Sequence, residues 1–471
     1  MGGHAHTLAN NSPCLARCCV RNVAWVTAAL SASGHATGAS AAGPAIPSIP
    51  QPAQQPAAAG ARGHEGGCGG GGLAWCSPVR TVGAATVARL CDSAATYPLA
   101  CTPLRCRPCQ HWLRRYAGLP RPPATCLPTR PNATVLPRDL PELDALERLL
   151  AQHAQHLHVQ QVCRVALPQA PSFPVYAISL GSSAPGAPAA GFFGGVHGLE
   201  RIGAQVVIAY LQSVLSRLAW DSALQHLLEH VRLVFMPIVN PGGMWAATRA
   251  NPRGIDLMRN APVDAKDRVP FLVGGQRLSS GLPWYRGRLG EPMEAESQAL
   301  CSVVQTELLG RPFSLALDCH SGFGVTDRLW FPYAHTREPM AHLAEVHALQ
   351  SIFLQAHSQH PYVIEPQSAQ YLAHGDLWDH LYLQACQLGG KVFLPLTLEM
   401  GSWLWIKKNP QQLFSRNGIF NPLITHRHQR VLRRHLGLLD FLARAAASHA
   451  QWLPQGAAHQ HHHRHALDHW Y

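Results

Sequence analysis

Four short, nearly unbroken apolar segments constrain the fold of this 471-residue chain more than any other feature. They are Ala190 to Phe193 and residues 231–239, 314–319 and 392–398. A half-exposed strand alternates apolar and polar residues, whereas a strand without alternation is buried on both faces, as in a parallel sheet covered by helices. Helical periodicity runs through Pro141 to Gln155, Ile202 to Leu218 and His426 to Ala447, and further strands are expected at Val159 to Leu167 and Val175 to Leu180. The expected fold class is therefore α/β, a three-layer α/β/α sandwich on a mixed, mostly parallel sheet.

Three of these apolar segments deliver chemistry-bearing side chains at their C-terminal ends, where open α/β sheets place ligands. Ala190 to Phe193 leads through Gly194-Gly195 to His197 and Glu200, residues 314–319 lead into His320, and residues 392–398 end in Glu399. An imidazole and a carboxylate three positions apart can ligate one zinc ion, with a second imidazole completing a His₂Glu set. His-x-x-Glu is a weak signal by itself: 29 His and 13 Glu predict about one chance copy, and the chain holds four. His226/Glu229 and His342/Glu345 fall in amphipathic helical runs, and His335/Glu338 falls at the start of one, where a solvated pair is the simpler expectation. His197/Glu200 differs in following an apolar strand.

Two more segments sit between these. One is Asn240-Pro241-Gly242-Gly243, followed by Arg249 and Asp256-Leu257-Met258-Arg259-Asn260; the other is Tyr371-Leu-Ala-His-Gly375-Asp-Leu-Trp378-Asp379. With these five motifs in this order, the chain from about Pro137 to Ala450 resembles the zinc carboxypeptidases of the carboxypeptidase A type, most closely a bacterial branch with an uncharacterised carboxypeptidase-like domain. The resemblance implies one Zn²⁺ per chain held by His197, Glu200 and His320, with Glu399 as general base. It implies that Arg249 polarises the scissile carbonyl, that Arg259, with Asn260, binds the substrate's terminal carboxylate, and that Asp256 fixes the tautomer of His197. Tyr371 matches the family's mobile substrate tyrosine. Trp378, seven positions on, falls where the family lines the pocket for the last side chain, or else packs in the core. Met258 departs from the pattern: the family has an Asn there, and a thioether cannot donate a hydrogen bond to a carboxylate.

Charge is unevenly distributed. The whole chain carries +12, but residues 1–137 hold eleven arginines against Glu65 and Asp92, a net +9, leaving 27 basic and 24 acidic residues in the remainder, +3. The catalytic part is thus nearly balanced and no nucleic-acid partner is expected. Residues 1–136 read as a low-complexity leader rich in Ala, Pro, Gly and Cys; its Cys101-x₄-Cys106-x₂-Cys109 spacing is ferredoxin-like but lacks a surrounding fold. Residues 137–450 form the expected catalytic domain, and residues 451–471 a His-rich tail expected to be disordered. No apolar run is long enough for a membrane span. Cys163, Cys301, Cys319 and Cys386 show no paired spacing, which suits a reducing, cytoplasmic compartment over a secreted one. Oligomeric state is not legible.

The substrate expected is a peptide or small amide. A metallocarboxypeptidase is the favoured function. A zinc acyl-amidase of the succinylglutamate desuccinylase and aspartoacylase kind stays open because of Met258. A non-catalytic zinc-binding protein on the same fold is the third reading, opposed by the presence of Glu399 beside a full ligand set.

Overall fold

The computed structural model describes residues 140–471 apart from residues 168, 169, 323 and 416. The leader and its cysteine spacing lie outside the described residues. The chain opens on helix α1 (Pro141–Gln152), where Pro141 starts the helix, Glu142 and Asp144 complement its N-terminal dipole, and Leu143, Leu146, Leu149 and Leu150 form the buried stripe. Strands β1 (His158–Leu167) and β2 (Ala170–Gly181) follow as an antiparallel pair, and β3 (Ala189–Gly194) is buried throughout. After α2 (Arg201–Arg217), α3 (Ser222–His230) and β4 (Arg232–Met236) come the short helix α4 (Pro241–Ala246), α5 (Ala295–Val304) and β5 (Phe313–Ser321). The chain continues through β6 (Arg328–Phe331), α6 (Leu343–Ala356), β7 (Val363–Pro366), α7 (Leu377–Leu388) and β8 (Val392–Met400). It ends with α8 (Trp403–Lys408), the long α9 (Thr425–Ala447), a single turn α10 (His449–Trp452) and α11 (Gly456–Trp470).

The sheet runs β1-β2-β4-β3-β5-β8-β6-β7. Its centre, β4-β3-β5-β8, is parallel, β6 and β7 are parallel to each other, and the remaining neighbours are antiparallel. The expected mixed, mostly parallel sandwich is what forms. Phe192 and Phe193 show the layering: successive strand residues point to opposite faces, and Phe192 meets Tyr210 of α2 edge-on at 5.0 Å while Phe193 meets Trp378 of α7 at 5.0 Å on the other side. With both faces covered, these strands are mostly apolar, and the polar residues they do carry, such as Asp318 and His320, are paired.

The close seating of α2 on the sheet fixes where the first ligand loop goes. At Gly203, in the first turn of α2, an added Cβ would lie 2.0 Å from the carbonyl oxygen of Cys319 on β5. Only glycine permits that approach, and it brings Glu200, just ahead of the helix, against the end of β5. Asn421 secures the same turn, accepting from the Ile202 N–H at 2.9 Å and donating to the Leu199 carbonyl at 2.8 Å.

The C-terminal region departs from expectation. Instead of a disordered tail, α11 packs along α6, with Ala466 fully buried and the Trp470 indole donating to the carbonyl of Ile364 on β7 at 2.9 Å. The residues that dock it, Ala466, Leu467 and Trp470, fall on one face near its end, so a composition dominated by histidine conceals a docking stripe. Among the described residues no single helix is long and apolar enough to cross a membrane.

His435 on α9 is buried beneath β6 and β7, its Nδ1 2.8 Å from the Tyr362 hydroxyl and its Nε2 3.9 Å from Asp327. Burial holds the imidazole down at about 4 against an ordinary 6.5, with Arg434 adding to burial and Asp327 opposing it. The fold therefore keeps His435 neutral while the unfolded chain protonates it, so its stabilising contribution is complete above about pH 6.5 and is lost as pH falls towards 4. Urea unfolding at pH 7 and pH 5 should show an acid-side loss in the wild type that exceeds the loss in His435→Gln by on the order of 2 kcal/mol; equal slopes would contradict this.

Candidate metal centre and substrate cleft

The turn after β3 carries His197 and Glu200, both almost fully buried. It is tied to the turn after β4 by Asn240, which donates to the Val196 carbonyl at 3.2 Å and accepts from the Gly243 N–H at 2.8 Å. His320 and Glu399 stand side by side in register on the parallel strands β5 and β8 and so share a face of the sheet. Three elements separated by up to 202 positions thus converge on one point. One ligand atom from each of His197, Glu200 and His320 lies within 4.8 Å of the others, and the two imidazole rings are 4.9 Å apart.

Glu200 is the hub. One carboxylate oxygen accepts from the Ser321 N–H at 2.9 Å and lies 3.2 Å from His320 Nδ1; the other accepts from Arg249 Nη1 at 3.0 Å. Burial works to raise its pKa, but His197, His320 and Arg249 outweigh burial and hold it below the ordinary carboxylate value. Arg249 bridges Glu200 to Asp256, donating from Nε to Asp256 at 2.8 Å. Asp256 lies 3.6 Å from His197 Nδ1, an electrostatic contact longer than a hydrogen bond.

His197 is held well below 6.5, first by burial and then by Arg249. Burial also disfavours charge on His320, yet Asp318 and Glu200 overcome it and push that imidazole well above 6.5. Asp318 accepts from His320 Nε2 at 2.7 Å and from the Trp378 indole at 3.0 Å, both on the same oxygen. Glu399 is pushed up to about 7, chiefly by burial, with Glu200 and Asp318 adding to the shift and His320 and Arg249 opposing it. The donor types fit a zinc ion: two imidazoles and a carboxylate, three nearby carboxylates at Asp256, Asp318 and Glu399, and a buried His197 Nδ1 that makes no hydrogen bond. Zinc would be held by His197, Glu200 and His320.

Beyond the triad lies Arg259, also buried. Its Nη2 donates to the Tyr371 hydroxyl at 3.2 Å, its Nη1 lies 3.7 Å from Asp376, and its Nε is buried without a hydrogen-bond partner. The guanidinium stands 5.9 Å over the Tyr371 ring. Gly375 lets the Tyr371 loop close on this arginine: its φ is +76°, and a Cβ would meet the Arg259 carbonyl at 1.9 Å. On the other side of the centre, Arg249, Asp256, Leu199, Trp284 and Phe420 line a cavity of about 310 Å³.

Residues 168–401 match the family model for zinc carboxypeptidases. The chain carries a zinc carboxypeptidase domain. That family consists of metallocarboxypeptidases, and the domain supports a hydrolase activity of that kind. The domain is similar to solved structures at low identity. Thrombin-activatable fibrinolysis inhibitor matches at 18% identity and a TM-score of 0.49, over 67% of this chain and 78% of that one. The bovine form of that inhibitor, in complex with tick carboxypeptidase inhibitor, matches at 18% and 0.46, over 66% and 96%. Carboxypeptidase A from Helicoverpa armigera matches at 17% and 0.47, over 65% and 72%.

The structure brings His197, Glu200, His320, Glu399, Arg249 and Asp256 together and places Arg259 beside Tyr371. It also gives the surroundings of Trp378, Met258 and Asn260. Trp378 is 3% exposed, packs on Phe193 and donates to Asp318, so it supports His320 from within the core. Met258 is 4% exposed in the same core, where its N–H donates to Asp256. Asn260 is fastened at both ends of its amide, donating to the Arg286 carbonyl at 3.0 Å and accepting from the Glu294 N–H at 2.6 Å, which makes it scaffold for the loop. The other His-x-x-Glu copies also separate. His226 and Glu229 are an exposed pair on α3, 3.2 Å apart, grouped with His230 but unsupported by packing. His335 is not a solvated residue at a helix start: it is buried, and Asp379 accepts from its Nδ1 at 2.6 Å and from the N–H groups of Ala334 and His335 at 2.8 Å each.

Asp318 was absent from the sequence-derived site, although it stands two residues before His320 on one strand and hence on the same face. Replacing it by Asn should weaken zinc binding by roughly 10- to 100-fold, measured by competition with a chelator, because the partner that orients His320 is lost. Unchanged affinity would remove Asp318 from the centre. His197→Ala should lose the tightly held zinc altogether, while His226→Ala keeps it.

Proposed function

We propose that the protein releases C-terminal residues from peptides at a single zinc held by His197, Glu200 and His320, with Glu399 as the proton-transfer group. The observation that carries the exopeptidase reading is Arg259, a buried guanidinium with an unpartnered Nε, next to Tyr371 and in the same electrostatic site as Glu399 and Arg249. A buried cation with an open donor edge favours an anion, and a planar fork suits a carboxylate.

In this reading a peptide lies across the cleft with its terminal carboxylate on Arg259 and its last amide bond near Glu399. A zinc ion bound at the triad supplies Lewis acidity, lowering the pKa of water and polarising the carbonyl. Glu399 takes the proton from the attacking water and delivers it to the leaving nitrogen, acting first as base and then as acid. Arg249, anchored through Glu200 and Asp256, has a guanidinium beside the triad that stabilises charge developing on the carbonyl oxygen. The cavity along Leu199, Trp284 and Phe420 takes the chain on the far side of the cleaved bond. Its apolar walls suit peptide side chains better than a small N-acyl group.

Glu399→Gln keeps the side-chain shape and removes the base, so kcat should fall by about 10²-fold or more with zinc content unchanged. Loss of zinc in that variant would make Glu399 a ligand and overturn the assignment. On a panel of N-blocked dipeptides with N-acetyl and N-succinyl amino acids beside it, turnover should be confined to the dipeptides. Arg259→Ala should raise KM strongly for peptides with a free C-terminus and hardly change the already poor turnover of C-terminally amidated ones. Preferential cleavage of the N-acyl amino acids would transfer the assignment to an acyl-amidase.

A further inference from the structure

Away from the cleft, α11 carries six histidines in fifteen residues and lays part of that row against His347 of α6. His347 Nδ1 lies 2.8 Å from His462 Nδ1. The ring of His465, three residues further along α11, stacks over His347 at 6.2 Å with 17° between planes, and His461 meets His465 at 4.2 Å. His347 and His462 are half-buried, whereas His465 is exposed.

Two imidazole nitrogens 2.8 Å apart cannot both carry a proton pointing at the other. Either one donates to the other, or both turn lone pairs to a common electrophile. We propose that His347 on α6, with His462 and His465 on α11, forms a second metal site for a borderline-soft divalent transition ion, Zn²⁺ or Ni²⁺, that clasps the C-terminal helix to the domain. Imidazole is the ligand such ions favour. With bonds of ~2.0–2.1 Å, tetrahedral zinc separates two ligand nitrogens by about 3.3 Å, so the observed pair opens by only about half an ångström to admit it. His462 and His465, at i and i+3, share a face of α11, and a changed side-chain torsion at the exposed His465 would be needed to turn its nitrogen to the pair. The ligands must be neutral to bind, as an ordinary imidazole is above about pH 6.5. The site differs from the exposed His226, Glu229 and His230 group on α3, which lies within a single helix and would join nothing.

The test is backbone hydrogen exchange over residues 456–470 of the full chain carrying one equivalent of Zn²⁺, with and without added Ni²⁺. The readout is local to α11, and the His347 variant separates a clasp from an ion held within the helix alone. In the wild type, Ni²⁺ at about ten times its dissociation constant should slow exchange in α11 about tenfold, because opening the helix releases the ion. His347→Phe and His462→Gln should each abolish the slowing and His226→Ala should keep it. Metal-free exchange shows whether α11 is docked in each variant, and His462→Gln retains a hydrogen-bonding side chain where His347→Phe loosens the helix. Absence of slowing in the wild type, or undiminished slowing in a docked variant, overturns the proposal.

Discussion

The contact on which this site depends is the carboxylate of Glu200 against the end of β5. It joins three parts of the chain that have no local reason to meet: the turn after β3, the backbone of Ser321, and the arginine at 249. A buried carboxylate is costly unless charge and hydrogen bonds surround it, and here two donors and an imidazole do so. The requirement runs backwards into the fold. Gly203 must be glycine for α2 to sit close enough, and Asn421 must hold the helix start, or Glu200 does not reach Ser321.

The same logic of paired burial extends outward in layers. His320 is steadied by Asp318, Asp318 by the Trp378 indole, and Trp378 by its place against Phe193 in the core. On the opposite side Arg249 and Asp256 flank His197. The centre is thus braced through both the sheet and the loops, an arrangement that holds a ligand set within narrow limits of position. Arg259 is treated differently: its carbonyl is gripped by Arg286 and crowded by Gly375, while part of its guanidinium stays unpartnered. The backbone is fixed while one buried donor, Nε, has no hydrogen-bond partner.

Much of this was legible from residue order because buried parallel strands leave a plain signature, an apolar run ending at a loop, and the ligands sit at those ends. The central strands and the positions of His197, Glu200 and His320 at their ends follow from that rule, and α2 and α9 follow from helical periodicity. What was illegible depends on contacts between distant segments. Trp378 reads equally well as pocket wall or core, and only its distance to Asp318 decides. Met258 and Asn260 lie within a substrate-binding motif, yet they face the core and the supporting loop. Strands β6 and β7, four residues each, are too short to show a period. In α11, six histidines mask the three apolar positions that dock it.

The docking of α11 also bears on how the molecule behaves among its own copies. β7 is the last strand of the sheet, and its outer margin would expose carbonyl and N–H groups able to template another strand. The Trp470 indole occupies the carbonyl of Ile364 on that strand, and its ring packs against Phe331 on β6. A helix with too few apolar residues to fold by itself thereby covers part of one border of the sheet, and loss of its final turn would open that border to a strand of another copy.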